Sequence, residues 1–372
     1  MTPQEDVSLR ADTVRLSVPV DTGSRYDPHG IAGKTILITG GASGFGAAFA
    51  KSWAEYGANI IIGDVDEVAG AALIADLRES TGSLHHHFQY CDVTSWHSQV
   101  SLFQAALRLS ATGRIDVVVP NAGIAEDPGL LQTNFENPQD LDQERPPAPR
   151  FRVLDVNLTG VMYTVHLALF WLQRKSPIES NDDGDGGKGQ HARVHPDRHI
   201  LLIGSIAGLM PLTGAVQYTA SKHAVTGLFR CLRGTAYQRG IRVNMLCPCF
   251  VDTNMLANAV MLGLAGGGLG EISDVVDAAT RFLADETICG RAVVIGPRMT
   301  VEDGDHGEIR LVAIPKEEEG GKGIWDCYAH DYENVEAFFY RYTRLLVAFA
   351  RMRGWAGWLR DVLWVLFRRK QK

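Results

Sequence analysis

The chain has 372 residues, 45% of them hydrophobic and 21% charged, with 36 Lys and Arg against 43 Asp and Glu. Its net charge of -7 is unevenly divided: residues 341–372 hold nine basic side chains against the single acid Asp361, so the tail carries +8 and the preceding chain -15. These values exclude a disordered or collagen-like chain, and an acidic body argues against a general nucleic-acid binder, whose folded domain would present a basic face.

In chain order, residues 1–32 are polar and punctuated by Pro and Gly, and read as a flexible lead-in. Short β-rich runs then alternate with helix-length segments. Strands are predicted at 35–39 (TILIT), 59–64 (NIIIGD), 88–93, 116–119, 199–204 (HILLIG), 242–247 and 291–295 (RAVVI), and helices at 46–56, 67–78, 96–109, 153–174 and 218–239. Continuous apolar strands separated by helices describe a parallel sheet covered on both faces. The expectation is an α/β fold: one doubly wound, mostly parallel, seven-stranded Rossmann-type sheet over 33–297, with a helical C-terminal extension over 298–372. Two polar stretches, 125–150 and 176–198, read as surface insertions.

Six scattered cysteines without a C-x-x-C pair point to reduced thiols, mostly buried, in a reducing compartment. The first residues lack the apolar core of a secretory signal, and no apolar run reaches the ~18 residues that span a bilayer. A cytoplasmic body is expected. The adjacent His85, His86 and His87 would point to alternate faces of a strand, so they read as a polar strand entrance rather than a metal site; no metal is expected.

The first predicted strand runs into Thr39-Gly40-Gly41-Ala42-Ser43-Gly44-Phe45-Gly46 and then a helix. Glycines at 40, 44 and 46 allow a tight turn and close approach of backbone to a pyrophosphate, while the helix N-terminus supplies N–H donors. The second strand ends in Asp64, about 20 residues on, where a carboxylate can accept bonds from the adenosine ribose; the plainer alternative is a turn or helix-cap residue. An acid there repels a 2′-phosphate and no Arg or Lys lies within 40–46. NAD is therefore expected, with NADP as the alternative.

Further along, Asn121-Ala122-Gly123 follows the fourth strand, Ser205 ends the fifth, and Tyr218 and Lys222 stand four apart on one helix face. An ammonium within ~4–6 Å of a phenol favours the phenolate. The plain readings are a helix tyrosine, a solvated lysine and a strand-end cap. Taken together, Thr39-Gly-x-x-x-Gly-x-Gly46, Asn121-Ala122-Gly123 and Tyr218-x-x-x-Lys222 resemble the short-chain dehydrogenase/reductase family over about residues 33–297. The wording of 205–211, 218–223 and 243–248 is similar to its NAD-dependent 15-hydroxyprostaglandin dehydrogenase-like members, and the insertions and extension to fungal members. The resemblance implies catalysis by Ser205, Tyr218, Lys222 and Asn157. It also implies a cofactor site formed by Gly40, Ser43, Gly44, Phe45, Gly46, Asp64, Asp92, Val93, Asn121, Tyr218, Lys222, Val251 and Thr253, and a homodimer or homotetramer. One departure is Cys249, where the family usually has glycine; its Cβ is expected to crowd the nicotinamide or shift the backbone. Pro120 is a second, minor departure.

Residues 254–270 occupy the family's substrate loop, and their Met, Leu and Gly content suits a lipophilic substrate; an ordinary apolar helix is the alternative. From Arg344, an apolar stripe at helical spacing with Trp355, Trp358 and Trp364 ends in Arg368-Arg369-Lys370. It resembles a helix lying on a membrane surface, the alternative being docking on protein. The expected activity is hydride transfer between NAD and a secondary alcohol or ketone of a lipophilic small molecule. The competing reading is a dinucleotide-binding protein without turnover.

Overall fold

The structure is a computed structural model that describes residues 17–126, 144–145, 148–174, 197–251, 253, 268–303, 309–313 and 320–328, with 345, 348, 352, 355 and 357 in the C-terminal segment. Expectations for 1–16, the interiors of both insertions, most of the 254–270 loop and the basic cluster at 368–370 lie outside the described residues. The chain divides into two units, Leu16–Cys327 and a second made of Met1–Arg15 with Tyr328–Lys372.

In the larger unit, β1 (Thr35–Thr39), β2 (Asn59–Asp64), β3 (His87–Tyr90), β4 (Val117–Pro120), β5 (His199–Ile203), β6 (Arg242–Pro248) and the start of β7 (Ala292–Asp303) lie parallel, in the order 3-2-1-4-5-6-7. Their connections carry α1 (Gly44–Glu55), α2 (Glu67–Thr81), α3 (Trp96–Leu109), α4 (Arg152–Trp171), α5 (Val216–Leu232) and α6 (Ile272–Ala284). Local chemistry starts and stops these helices. Asp66 caps α2 through Ala69 N–H, Ser95 caps α3 through Ser98 N–H, and Gly82 ends α2 at φ 69°.

All five residues of β1 are buried, as a strand covered on both faces requires. One face packs on α1 and α6 through Ile36, Ile38, Ile60, Ile62, Phe49 and Phe282. Trp53 of α1 is fully buried, stacks on Phe49 with centroids 4.8 Å apart, and donates its indole N–H to Thr280 Oγ1 of α6 at 2.9 Å. Removing such a side chain costs about 3–5 kcal/mol. The helix α4 is, among the described residues, the one helix long and apolar enough to cross a membrane, yet nearly half of its most apolar window is buried inside the fold.

Two expectations are corrected. The mostly parallel Rossmann-type sheet is as expected, but it has nine strands among the described residues rather than seven: β7 passes through a bulge between Ile295 and Met299, then pairs antiparallel with β8 (Ile309–Ala313), while β9 (Lys322–Cys327) covers its other edge. A boundary at 297 therefore falls inside a strand. Residues 17–32 are also not a free lead-in. Ser17 N–H donates to Cys289 O at 3.0 Å and Thr22 Oγ1 to Ile324 O at 3.1 Å. Arg281 Nη1 donates to Ser24 O at 2.8 Å, and Tyr26 Oη to Asp277 Oδ1 at 2.8 Å. Burial and the Asp277 carboxylate hold the Tyr26 phenol above its ordinary value. Three of these four bonds end on a backbone carbonyl, which leaves no pattern in the sequence.

None of the six cysteines is joined in a disulfide; Cys91, Cys247 and Cys289 are buried and Cys231 is exposed. In the second unit Leu345, Ala348, Met352, Trp355 and Gly357 are helical, and Leu345, Met352 and Trp355 are exposed.

Candidate active site

The strand order reverses between β1 and β4, and a cleft of about 680 Å³ opens at the carboxyl ends of the strands, where open α/β sheets bind ligands. Twelve of the expected residues line it: Gly40, Ser43, Gly44, Phe45, Asp64, Asp92, Val93, Asn121, Ser205, Tyr218, Lys222 and Thr253. Gly46, Asn157 and Val251 do not. Gly46 lies under the turn, where a Cβ would come within 2.2 Å of Gly40 O. Asn157 is fully buried behind the wall, and Val251 faces the core.

The glycine turn is held from three sides. Asp64 Oδ2 accepts from Ala42 N–H at 2.9 Å and its Oδ1 from Asp66 N–H at 3.1 Å, which satisfies the turn reading of this carboxylate, the cap of α2 being Asp66. Asn121 Nδ2 donates to Gly40 O at 2.8 Å and Thr39 O at 3.1 Å. Gly40 adopts φ 64°, with Ala122 so close that a Cβ would sit 2.6 Å from its Cα. A dinucleotide fits these residues. The first-turn N–H groups of α1 follow a Ser43 that makes no side-chain cap, and the space beside Gly44 is open, as a pyrophosphate needs.

Across the cleft, Lys222 Nζ lies 5.6 Å from the Tyr218 ring centroid and donates to Ile203 O at 3.0 Å. Ser205 Oγ accepts from Ala207 N–H at 3.1 Å and makes a long 3.4 Å bond to Pro248 O. Gly208 closes the turn after Ser205 against α5, where a methyl would meet Lys222 O and Thr226 Oγ1 at 2.6 Å each. Asn157 sits in a π-helical turn, Asp155–Gly160, inside α4. Its amide bonds both Ile124 N–H and Ile124 O at 2.8 Å, and Ser221 Oγ at 3.4 Å.

Cys249 is not among the residues that line the cleft. Its Cβ lies 3.6 Å from where one would stand on Gly296, in the β7 bulge, and the positive φ falls on the next residue, Phe250, at 43°. Cys91 lines the cleft as a neutral thiol, since burial pushes it up to about 12. The histidines are structural: Ile60 N–H donates to His86 Nδ1, and His87 Nδ1 pairs with Arg78. Sequence reasoning missed Ile124, Glu126 and Arg152, which sit in or beside stretches read as insertion.

Residues 34–177 and 195–261 match the short chain dehydrogenase family. The chain is a short-chain dehydrogenase/reductase. This dehydrogenase is 35% identical to 5'-hydroxyaverantin dehydrogenase of Dothistroma septosporum over 80% of this chain and 97% of that protein. It is 35% identical to the 5'-hydroxyaverantin dehydrogenase of Emericella nidulans over 74% of this chain and 88% of the other. An NADP-dependent dehydrogenase of Cochliobolus lunatus is 32% identical over 75% of this chain and 94% of its own length. Among solved structures, the 3-ketoacyl-(acyl-carrier-protein) reductase of Brucella melitensis complexed with NADH shares the fold. Its TM-score is 0.54 and its identity 24%, covering 71% of this chain and 97% of that one. Membership of the family makes the short-chain dehydrogenase described here an oxidoreductase.

Proposed function

We propose that the enzyme oxidises a secondary alcohol, or reduces the corresponding ketone, on a lipophilic secondary metabolite, with NAD as cofactor. The reading is carried by one observation: Ser205, Tyr218 and Lys222 converge on the same cleft that the glycine turn and Asp64 line. When bound, the nicotinamide accepts or supplies the hydride. Tyr218 Oη takes the alcohol proton in oxidation and returns it in reduction. Ser205 Oγ holds the substrate oxygen, its 3.4 Å bond to Pro248 O being weak enough to exchange. Lys222, anchored on Ile203 O, keeps a cation beside the phenol. Asn157 holds Ile124 and Ser221 in register behind both. The fungal 5'-hydroxyaverantin dehydrogenases support a substrate of that class over a prostaglandin-like one.

Asp64, with Val65 as its neighbour in the cleft wall, supports NAD over NADP. The NADP-dependent relative supports the second reading. Both are tested by following the reduced-nicotinamide absorbance with 5'-hydroxyaverantin and each cofactor in turn. Turnover with NAD exceeds that with NADP by tenfold or more, and Tyr218→Phe removes turnover while leaving cofactor binding within about twofold. Retained turnover in that variant would overturn the assignment.

We further propose that the C-terminal segment contacts a membrane surface. Leu345, Ala348, Met352 and Trp355 recur at helical spacing, all four are exposed, and the tail carries +8. The full chain floats with anionic liposomes and a chain ending at Cys327 does not; equal recovery of the two rejects this reading.

A further inference from the structure

Helix α5, which carries Tyr218, begins without a cap of its own. Ala215 precedes it and has no side-chain acceptor, so the first-turn N–H groups depend on a partner from elsewhere. Glu126 supplies it from the loop after β4. Its Oε1 accepts from Gln217 N–H at 3.1 Å and its Oε2 from Tyr218 N–H at 3.4 Å. A carboxylate there answers orphan donors and the positive end of the helix dipole together. Gln217 is itself 5% exposed, and its Nε2 donates to Arg150 O at 3.0 Å. Residues 126 and 150, at the two ends of the polar insertion, are thus both fastened to the residue next to Tyr218.

The same short loop is tied at two other places. Asn121 binds the glycine turn at Thr39 O and Gly40 O, and Ile124 binds Asn157 through both its N–H and its carbonyl. Glu126 is the third attachment, the one that reaches the catalytic helix. We infer that Glu126 is a positioning residue: its carboxylate fixes the first turn of α5, and with it the orientation of the Tyr218 phenol towards Ser205. A tyrosine hydroxyl lies at the far end of its side chain, so a small rotation of the backbone displaces it by about 1 Å, and a displacement of that size can lower a rate by about 10²-fold.

The inference rests on the reading of Tyr218 as the proton-transfer residue, and the test separates the two. Glu126→Ala and Glu126→Gln are made in the full chain and compared with wild type and Tyr218→Phe. With 5'-hydroxyaverantin and NAD, Glu126→Ala lowers kcat by ten- to a hundredfold while KM and the NAD dissociation constant stay within twofold. Hydrogen exchange at the Gln217 and Tyr218 amides rises by tenfold or more, with the rest of α5 protected as before. Glu126→Gln, which keeps one acceptor oxygen, falls between wild type and Glu126→Ala in both measurements. Unchanged kcat, unchanged exchange, or a fall in thermal stability with no separation of kcat from KM overturns the inference. Absence of turnover in wild type counts against the proposed substrate; in that event accelerated exchange in Glu126→Ala sustains the positioning role and unaltered exchange overturns it.

Discussion

His86 is 1% exposed, with Ile60 N–H donating to its Nδ1 at 3.3 Å and Thr81 Oγ1 3.1 Å from its Nε2. Burial first, then the neighbouring Arg78, lowers its pKa from 6.5 to about 4. The folded state therefore resists a proton that the unfolded state binds between about pH 4 and 6.5, so this histidine's contribution to stability falls as pH drops through that window and is level below it. A shift of that size is worth roughly 3 kcal/mol. Denaturant unfolding followed from pH 7 to pH 4 shows a loss in wild type that His86→Gln lacks by about that amount; parallel curves would remove the explanation. Asp64 illustrates a different kind of residue. Its place after the glycine turn was readable from spacing alone, but its bonds to Ala42 and Asp66 were not, because they depend on how β2 delivers the carboxylate to a neighbouring turn.

The boundaries of β1 and β2 match those expected from the apolar runs, because every residue of the two strands but the half-buried Asp64 is enclosed and nothing competes with that pattern. Ser205, Tyr218 and Lys222 were legible for a related reason: each sits at the end of a strand or on a regular helix, where spacing dictates position. Glu126 was not, since its partners are backbone N–H groups 91 and 92 residues away. The extension of β7 was hidden by Gly296-Pro297, a pair that reads as a strand end but here forms a bulge. At the other end of the sheet from the cleft, where β5 and β6 begin, Arg242 binds Asp197 through two bonds of 2.7 Å and donates to Phe282 O and Ile288 O. Lys34 adds a 2.9 Å contact to the same carboxylate. Burial works against the Asp197 charge, yet the Arg242 guanidinium prevails and holds the acid well below the ordinary carboxylate range. Arg242→Met leaves that charge and several carbonyls buried without their partner, so chemical unfolding should show a loss of about 3–5 kcal/mol at neutral pH. A loss under 1 kcal/mol would mean that Lys34 alone suffices.

The division at Leu16–Cys327 makes a prediction about the least chain that works. A chain ending at Cys327 keeps a cooperative thermal transition and binds NAD. One ending at Pro297 lacks β8 and β9, exposes the edge of β7 that β9 covers, and loses that transition or aggregates. Circular dichroism melting with size-exclusion chromatography distinguishes the two, and a well-behaved shorter chain would return the boundary to 297. The tie between Thr22 and Ile324 also sets a clock. The two residues stand 302 positions apart, and at a ribosomal rate of about 5–20 residues per second the second emerges roughly 15–60 s after the first. For that interval the earliest segment of the catalytic unit has no strand to grip, however much of the central sheet has formed. Its closure on that strand waits until β9 has emerged, so a late strand of the catalytic unit completes the contacts of its earliest segment.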